Sequence, residues 1–162
     1  MITFRLFPLD AQTKPNCDNP PLDICLVIDE TKSIKQEDLS KVLDAAKILT
    51  SSLYRDGQNI PHFSVVSFAQ DAEIRLHFND EQNLGTLLSL LESMKTDDRD
   101  TSARIDNALQ KVNEVFSGSE NRPVSPKVMI IITDGKSDES QQQKLLGESE
   151  SLIVSIISWT VN

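Results

Sequence analysis

Four oxygen-bearing side chains stand where two apolar runs of the sequence end. Asp29, Thr31 and Ser33 follow one run, and Asp134 follows the other. An apolar run that ends in polar residues and precedes a helical pattern is typical of a parallel strand leading into a loop. Ligands of open α/β sheets bind at the carboxyl ends of such strands, so we predict that the four side chains share one site. Oxygen-only ligands favour a hard divalent cation, Mg²⁺ first, with Mn²⁺ or Ca²⁺ as alternatives.

The spacing of apolar residues predicts the elements that position this site. A helix of roughly 18 residues is predicted from apolar side chains that recur at steps of three and four, namely Leu39, Val42, Leu43, Ala46, Leu49 and Leu53. Strands are predicted at residues 22–29, 63–68, 73–78, 128–133 and 152–159, and further helices at 84–94, 105–116 and 140–146. The short link at 69–72 makes the second and third strands a hairpin. This order indicates an α/β fold of Rossmann type: a doubly wound, mainly parallel sheet with one antiparallel edge strand and helices on both faces.

The two ends of the chain are interpreted separately. Residues 1–21 are rich in Pro and Asn, which predicts a leader or linker with a short strand near residues 2–7. Residues 22–162 form the predicted domain. Its final strand is strongly apolar and would lie uncovered at a sheet edge, which natural proteins usually avoid. We therefore expect either that the natural protein continues beyond Asn162 or that this chain is a truncated product.

Composition limits the partners and the compartment. The formal net charge of −9 and the pI near 4.6 argue against binding to nucleic acid or to an anionic membrane, because both need clustered Lys and Arg. No stretch is long and apolar enough to span a membrane, and the N-terminal residues lack the apolar core of a signal peptide. The protein is therefore expected to be either cytosolic or a piece of a longer secreted chain. Cys25 is expected to be a buried thiol, and the loop residue Cys17 to bond beyond this chain.

Enzyme chemistry is not predicted. An aspartyl-phosphate enzyme also begins with an Asp at a strand end, but it needs a second acid two residues later, where this chain has Thr31. The sequence contains no glycine-rich phosphate loop, no Ser-His-Asp set and no zinc-like cluster. Plain structural roles remain open for two candidate ligands. Ser33 with Gln36 matches a helix capping box, and Asp134 with Gly135 matches a turn after a strand.

Together these residues resemble the von Willebrand factor type A family, which includes the inserted domains of integrins and the adhesive domains of matrilins and several collagens. The resemblance covers residues 17–162 and rests on the stretches 22–34, 65–68, 101–109 and 127–136. An apolar strand followed by an Asp-x-Ser-x-Ser pattern, with a later Thr-Asp-Gly, is fairly specific, whereas any one piece would be weak. The resemblance implies an extracellular member of the matrilin or collagen type with the doubly wound fold.

The resemblance also implies a metal-ion-dependent adhesion site. Asp29, Thr31 and Ser33 stand at the Asp-x-Ser-x-Ser positions, and Asp134 stands at the later aspartate. In such a site the hydroxyls coordinate the cation directly while the carboxylates act largely through water, so the ion stays electrophilic towards an acidic side chain of a partner. The implied function is a non-catalytic adhesion module that binds a protein, such as collagen or another matrix protein, through Mg²⁺.

Three departures from the family pattern bear on this site. Thr31 replaces the usual serine and keeps the hydroxyl. A family threonine from a separate loop falls on Ala103, so the fifth ligand is assigned to Thr101, or to Ser102, after a shift of one or two residues. The resemblance also implies that the chain lacks the C-terminal strand and helix of the pattern, so affinity switching through that helix is not assumed. Two alternatives remain open: a structural matrix domain with a degenerate, metal-free site, and an intracellular cation-binding scaffold.

Overall fold

The computed structural model describes residues 21–54, 61–96, 104–118, 122 and 125–133, together with the backbone of residues 3–5 and 152–158. The elements are β1 (Thr3–Arg5), β2 (Asp23–Asp29), α1 (Gln36–Leu53), β3 (His62–Phe68), β4 (Ala72–Leu76), α2 (Leu84–Ser93), α3 (Ile105–Ser117), β5 (Lys127–Thr133) and β6 (Leu152–Ser158). The strands and helices predicted at these positions are confirmed, with bounds that differ by a few residues. The helix predicted at 140–146 and Cys17 lie outside the described residues.

The described strands form one six-stranded sheet in the order β1-β6-β5-β2-β3-β4. Strands β6, β5, β2 and β3 run parallel, and β4 and β1 pair antiparallel at the two edges. The predicted doubly wound, mainly parallel sheet is confirmed, and β1 adds a second antiparallel edge strand. Because β1 pairs with residues 156–158, the prediction that the final strand lies uncovered is wrong for that part of β6. The extended main chain of β1 satisfies hydrogen-bonding groups that β6 would otherwise leave unpaired.

Strand β2 lies at the centre of the sheet and is buried along its whole length. Helices α1 and α2 cover one face, where Leu26 of β2 packs in a cluster with Leu39 of α1. Helix α3 covers the other face, where Val27 packs in a cluster with Val112. Burial on both faces explains why β2 is a nearly continuous apolar run rather than an alternating one. None of the described helices has the length and apolar character needed to cross a membrane.

The start of α1 differs from the predicted capping box. Lys35 precedes the helix in an extended conformation (φ −64°, ψ 145°) and makes no side-chain cap bond. The Ile34 backbone N–H donates to the Thr31 carbonyl at 2.9 Å, which forms a turn that contains Ser33. The interpretation of Ser33 as a helix cap is therefore wrong, because Lys35 occupies the N-cap position directly before Gln36. Its hydroxyl contacts the Thr31 hydroxyl instead.

Cys25 is a buried thiol, which confirms the prediction. It is fully buried in β2 and is not part of a disulfide within the described residues. Burial raises the pKa of the thiol to about 12, and a hydrogen bond with Ser64 offsets this only in part. The thiol is therefore protonated and unreactive at neutral pH.

A buried ion cluster closes the amino end of β2, at the opposite end of the strand from Asp29. The Asp23 carboxylate is 1% exposed and accepts hydrogen bonds from the Arg122 guanidinium and the Lys127 ammonium. Arg122 also donates to the Leu22 carbonyl at 2.7 Å. These bonds tie β5 and the segment before it to the first residue of β2.

Thr50 in α1 offers a test of buried polar groups. Its side chain is fully buried, and its hydroxyl has no hydrogen-bond partner in the part of the chain that the structure describes. Thr50→Val replaces the hydroxyl with a methyl group of similar shape, so we expect the free energy of unfolding to rise by about 1 kcal/mol. Urea unfolding followed by circular dichroism measures this change, and a lower midpoint would contradict the expectation.

Candidate metal centre

The turn after β2 brings three of the predicted ligands together. The Asp29 carboxylate is 1% exposed, and its Oδ1 accepts hydrogen bonds from the Thr31 backbone N–H at 3.0 Å and the Thr31 hydroxyl at 2.7 Å. The hydroxyl oxygens of Thr31 and Ser33 lie 2.9 Å apart. Thr31 is buried, whereas Ser33 is exposed. The three side chains therefore form a chain of contacts from the buried carboxylate to the surface.

The direction of the bond between Thr31 and Ser33 follows from the single hydrogen of each hydroxyl group. The Asp29 carboxylate can only accept hydrogen bonds, so the Thr31 hydroxyl donates its single hydrogen to Asp29 Oδ1. Ser33 must then be the donor to Thr31. The Thr31 oxygen keeps a second lone pair, which is the acceptor that a cation would use.

The neighbouring strand end contacts the same carboxylate. Strand β5 pairs with β2 in parallel register, with Ile132 beside Ile28. One residue further along, the Thr133 hydroxyl donates to Asp29 Oδ2 at 2.8 Å, and Thr133 is 2% exposed. The carboxyl ends of β2 and β5 therefore lie side by side, as a site shared by both would require. Asp134 directly follows Thr133 in the chain but lies outside the described residues.

The predicted fifth ligand also lies outside the described residues. This applies to Thr101 and equally to Ser102 and Ala103. The described chain resumes at Arg104, whose backbone N–H donates to the Ala69 carbonyl at 2.9 Å. The C-terminal end of this loop is therefore anchored to the turn that follows β3. Ligation by Asp134 and Thr101 stays a prediction.

A second carboxylate lies next to the candidate site. Glu30 follows Asp29 and is 7% exposed, and its Oε2 lies 3.4 Å from Arg75 Nη2. Arg75 Nε donates to the buried Ser67 hydroxyl at 2.9 Å, and Arg75 Nη1 lies 3.1 Å from the exposed Glu73 carboxylate. Arg75 therefore links the carboxyl end of β2 to the β3–β4 hairpin.

These side chains line an open cleft of about 450 Å³. The rest of the lining is Phe68, Ala69, Asp71, Ala72, Lys95 and Thr96. Half of the lining residues are charged, with both signs present, whereas small-molecule pockets are mostly apolar. The cleft is therefore closer in character to the polar rim of a protein interface.

The spacing of the two hydroxyl oxygens fits a small octahedral cation. Mg²⁺ binds oxygen at about 2.0–2.1 Å, so adjacent octahedral ligands lie about 2.8–3.0 Å apart, whereas the same geometry around Ca²⁺ requires about 3.3–3.7 Å. The Thr31 and Ser33 oxygens lie 2.9 Å apart, which is the length of the hydrogen bond between them and is also compatible with the shorter separation. One cation could therefore contact both oxygens at this spacing once the Ser33 hydroxyl hydrogen has rotated away from Thr31. In the described part of the chain, no group of three or more His, Cys, Asp or Glu side chains is placed to hold a metal. The candidate site combines one carboxylate with two hydroxyls instead.

Three residues of this neighbourhood were missed in the sequence: Glu30, Arg75 and Thr133. Thr133 and Glu30 carried a local signal, since each is adjacent in the chain to a predicted ligand. Arg75 carried none, because its contact with Glu30 joins residues 45 positions apart through the hairpin geometry.

Comparison with known proteins identifies the family. The sequence model of the von Willebrand factor type A (VWA) domain matches residues 23–159, which is most of the chain. The chain belongs to this family. The resemblance seen in the sequence is thereby confirmed, and the VWA match includes every strand from β2 to β6.

Two curated relatives of this VWA chain are matrilins. Matrilin-3 of Mus musculus is 27% identical over 128 residues, which cover 76% of this chain and 26% of the relative. Matrilin-3 of Gallus gallus is 27% identical over 133 residues, which cover 76% of this chain and 28% of the relative. The chain therefore spans about a quarter of the length of the curated relatives it matches.

Solved structures share the VWA fold. Proximal thread matrix protein 1 from the mussel byssus, in a structure with a zinc-occupied MIDAS motif, has a TM-score of 0.69 and 26% identity over 83% of this chain and 37% of that chain. Another crystal form of that protein has a TM-score of 0.70 and 24% identity with the same coverage. BatB from Bacteroides thetaiotaomicron has a TM-score of 0.66 and 17% identity over 83% of this chain and 65% of that chain, which shows the fold alone.

Proposed function

We propose that this VWA domain is a non-catalytic adhesion module of the extracellular matrix that binds an acidic side chain of a protein partner through a divalent cation. Thr31 and Ser33 supply hydroxyl ligands, Asp29 supplies a carboxylate that acts through water, and Asp134 and Thr101 supply the remaining donors. Mg²⁺ is the proposed cation, with Mn²⁺ and Ca²⁺ as alternatives. When bound, the cation provides an electrophilic centre for a carboxylate oxygen of the partner.

The observation that carries this proposal is the chain of contacts from Asp29 through Thr31 to the exposed Ser33. Both Asp29 oxygens accept hydrogen bonds from within the protein. This favours the hydroxyls, and not the carboxylate, as the direct ligands of the cation. Uncharged ligands such as hydroxyls leave most of the charge of a cation uncompensated, so a carboxylate of the partner can complete the coordination. Because Ser33 is exposed, the open side of the site faces solvent.

The relatives support the matrix setting and a protein partner. The sequence relatives are matrilins, and the structural neighbour with a zinc-occupied MIDAS motif is a thread matrix protein. On this basis we propose an extracellular location and collagen or another matrix protein as the partner. The net charge of −9 favours a protein partner over nucleic acid or an anionic membrane.

Calorimetric titration of the domain with Mg²⁺ tests the metal site. We expect the wild type to bind Mg²⁺ and to gain about 2.7 kcal/mol of stability when free Mg²⁺ is 100-fold above its Kd. Ser33→Ala removes a direct ligand, so we expect Mg²⁺ affinity to fall at least about 10-fold, with little change in metal-free stability because the hydroxyl is exposed. Ser40→Ala is the matched control, since this exposed serine of α1 donates to the Gln36 carbonyl at 2.9 Å.

Three outcomes would contradict the proposal or a part of it. If Mg²⁺, Mn²⁺, Ca²⁺ and Zn²⁺ give neither heat nor thermal stabilisation, the alternative of a structural matrix domain with a degenerate site is favoured. If the domain binds metal but does not attach to immobilised collagen in an EDTA-sensitive way, collagen is not the partner. A full-length gene that encodes no secretion signal would favour the intracellular scaffold.

A further inference from the structure

We infer that Thr133 is a positioning residue of the candidate cation site: its hydroxyl fixes the Asp29 carboxylate in the orientation that keeps the Thr31 oxygen available to a cation. The inference rests on the proposed function, because it concerns the same site. Its basis is the 2.8 Å hydrogen bond from Thr133 to Asp29 Oδ2, which joins the ends of two adjacent parallel strands.

The two oxygens of Asp29 are held from different parts of the fold. Oδ1 accepts the backbone N–H and the hydroxyl of Thr31, which belong to the same turn as Asp29. Oδ2 accepts the hydroxyl of Thr133, which belongs to β5. Bonds within the turn move with the turn, whereas the bond to Thr133 relates the carboxylate to the neighbouring strand.

The orientation of this carboxylate needs such a contact. The terminal torsion of an Asp side chain has a broad, roughly two-fold distribution, so the backbone alone does not fix it. Rotation about this bond would break both bonds from Thr31, and the Thr31 hydrogen would be free to turn towards the position of the cation. Because Asp29 and Thr133 are 1% and 2% exposed, water is poorly placed to replace a lost hydrogen bond.

Thr133 is suited to this role by its side chain and its position. A β-branched residue in a strand has a restricted χ1 angle, so its hydroxyl is held in one direction. Thr133 is also the last residue of β5, directly before Asp134. The same hydrogen bond therefore fixes the strand end from which the chain continues to the second predicted aspartate.

Three variants test the inference by Mg²⁺ calorimetry. Thr133→Val keeps the shape of the side chain and removes the hydroxyl, and we expect it to weaken Mg²⁺ binding by about 10–100-fold. Thr133→Ser restores the hydroxyl with a freer χ1 angle, and we expect affinity within about threefold of the wild type. Thr50→Val makes the same substitution at a buried position in α1 whose hydroxyl has no partner in the described structure, and it should bind Mg²⁺ as the wild type does.

Amide hydrogen exchange of the metal-free protein gives a second readout. The Thr31 N–H is protected by Asp29 Oδ1, so Thr133→Val should speed its exchange at least about fivefold relative to the Val27 amide in the core of β2. A general loss of stability speeds both amides alike, so the ratio reports the orientation of Asp29. Thr133→Ser should return the ratio towards the wild-type value.

The inference is overturned if Thr133→Val leaves both Mg²⁺ affinity and the exchange ratio unchanged, or if Thr133→Ser is as defective as Thr133→Val. If the wild type itself gives no heat with Mg²⁺, Mn²⁺, Ca²⁺ or Zn²⁺, the proposed function fails. The exchange ratio then still decides whether Thr133 fixes Asp29.

Discussion

Asp29→Asn is expected to remove Mg²⁺ binding while the metal-free fold persists. The amide oxygen can accept both bonds from Thr31, and the amide nitrogen can donate to Thr133, whose hydroxyl can rotate to accept. These three hydrogen bonds can therefore survive, but the negative charge is lost. Because that charge favours the cation over water, we expect Mg²⁺ affinity to fall about 100-fold or more.

Two measurements separate the effects of Asp29→Asn on metal and on fold. Calorimetric titration gives the Mg²⁺ affinity, and thermal denaturation without metal gives the stability, which should stay close to that of the wild type. Asp80→Asn is the matched control, since this carboxylate accepts a backbone N–H from His77 at 2.7 Å in the turn after β4. Wild-type Mg²⁺ affinity in Asp29→Asn would contradict a role for this charge in the site.

Asp23→Ala is expected to have the largest effect on stability. The Asp23 carboxylate is 1% exposed and is the shared partner of Arg122 and Lys127, which are 25% and 16% exposed. Its removal leaves two like charges close together and poorly solvated, and breaking a buried ion pair costs about 3–5 kcal/mol. Because both cations keep some contact with water, we expect a loss of about 3 kcal/mol, at the lower end of that range.

Urea unfolding measures the effect of Asp23→Ala, and a fall of about 6–12 °C in the thermal midpoint should accompany it. Asp44→Ala is the control, because this exposed aspartate pairs with Lys47 on the surface of α1 at 2.7 Å and should change stability little. A loss of less than about 1 kcal/mol in Asp23→Ala would show that the cluster does not hold the amino end of β2.

The parts of the fold that were predictable are those with a local period. The apolar spacing of α1 reflects burial on one face of the helix, and the continuous apolar run of β2 reflects burial on both faces of the sheet. Such burial can be recognised from the sequence of a single segment. The hydroxyls of Thr31 and Ser33 were also predictable as neighbours of Asp29, because they lie within one turn of it.

The features that were not predicted join distant parts of the chain. Strand β1 pairs with β6, and Asp23 meets cations that follow it by 99 and 104 residues. The prediction of a helix cap at Ser33 failed for a different reason. A capping box is a pattern of side chains, but here the backbone forms a turn from Thr31 to Ile34 and the helix begins after Lys35.

Strand β2 is bonded through side chains to β5 at both of its ends, by Asp23 with Lys127 and by Asp29 with Thr133. Between these ends the two strands are apolar, and a slip of two residues would keep every side chain on its own face of the sheet. Such a slip would separate both polar pairs at once. Asp23 and Asp29 therefore favour the register in which both ends of these two seven-residue strands are paired. Asp29, the acid proposed to serve the cation, thus also helps to align β2 with β5.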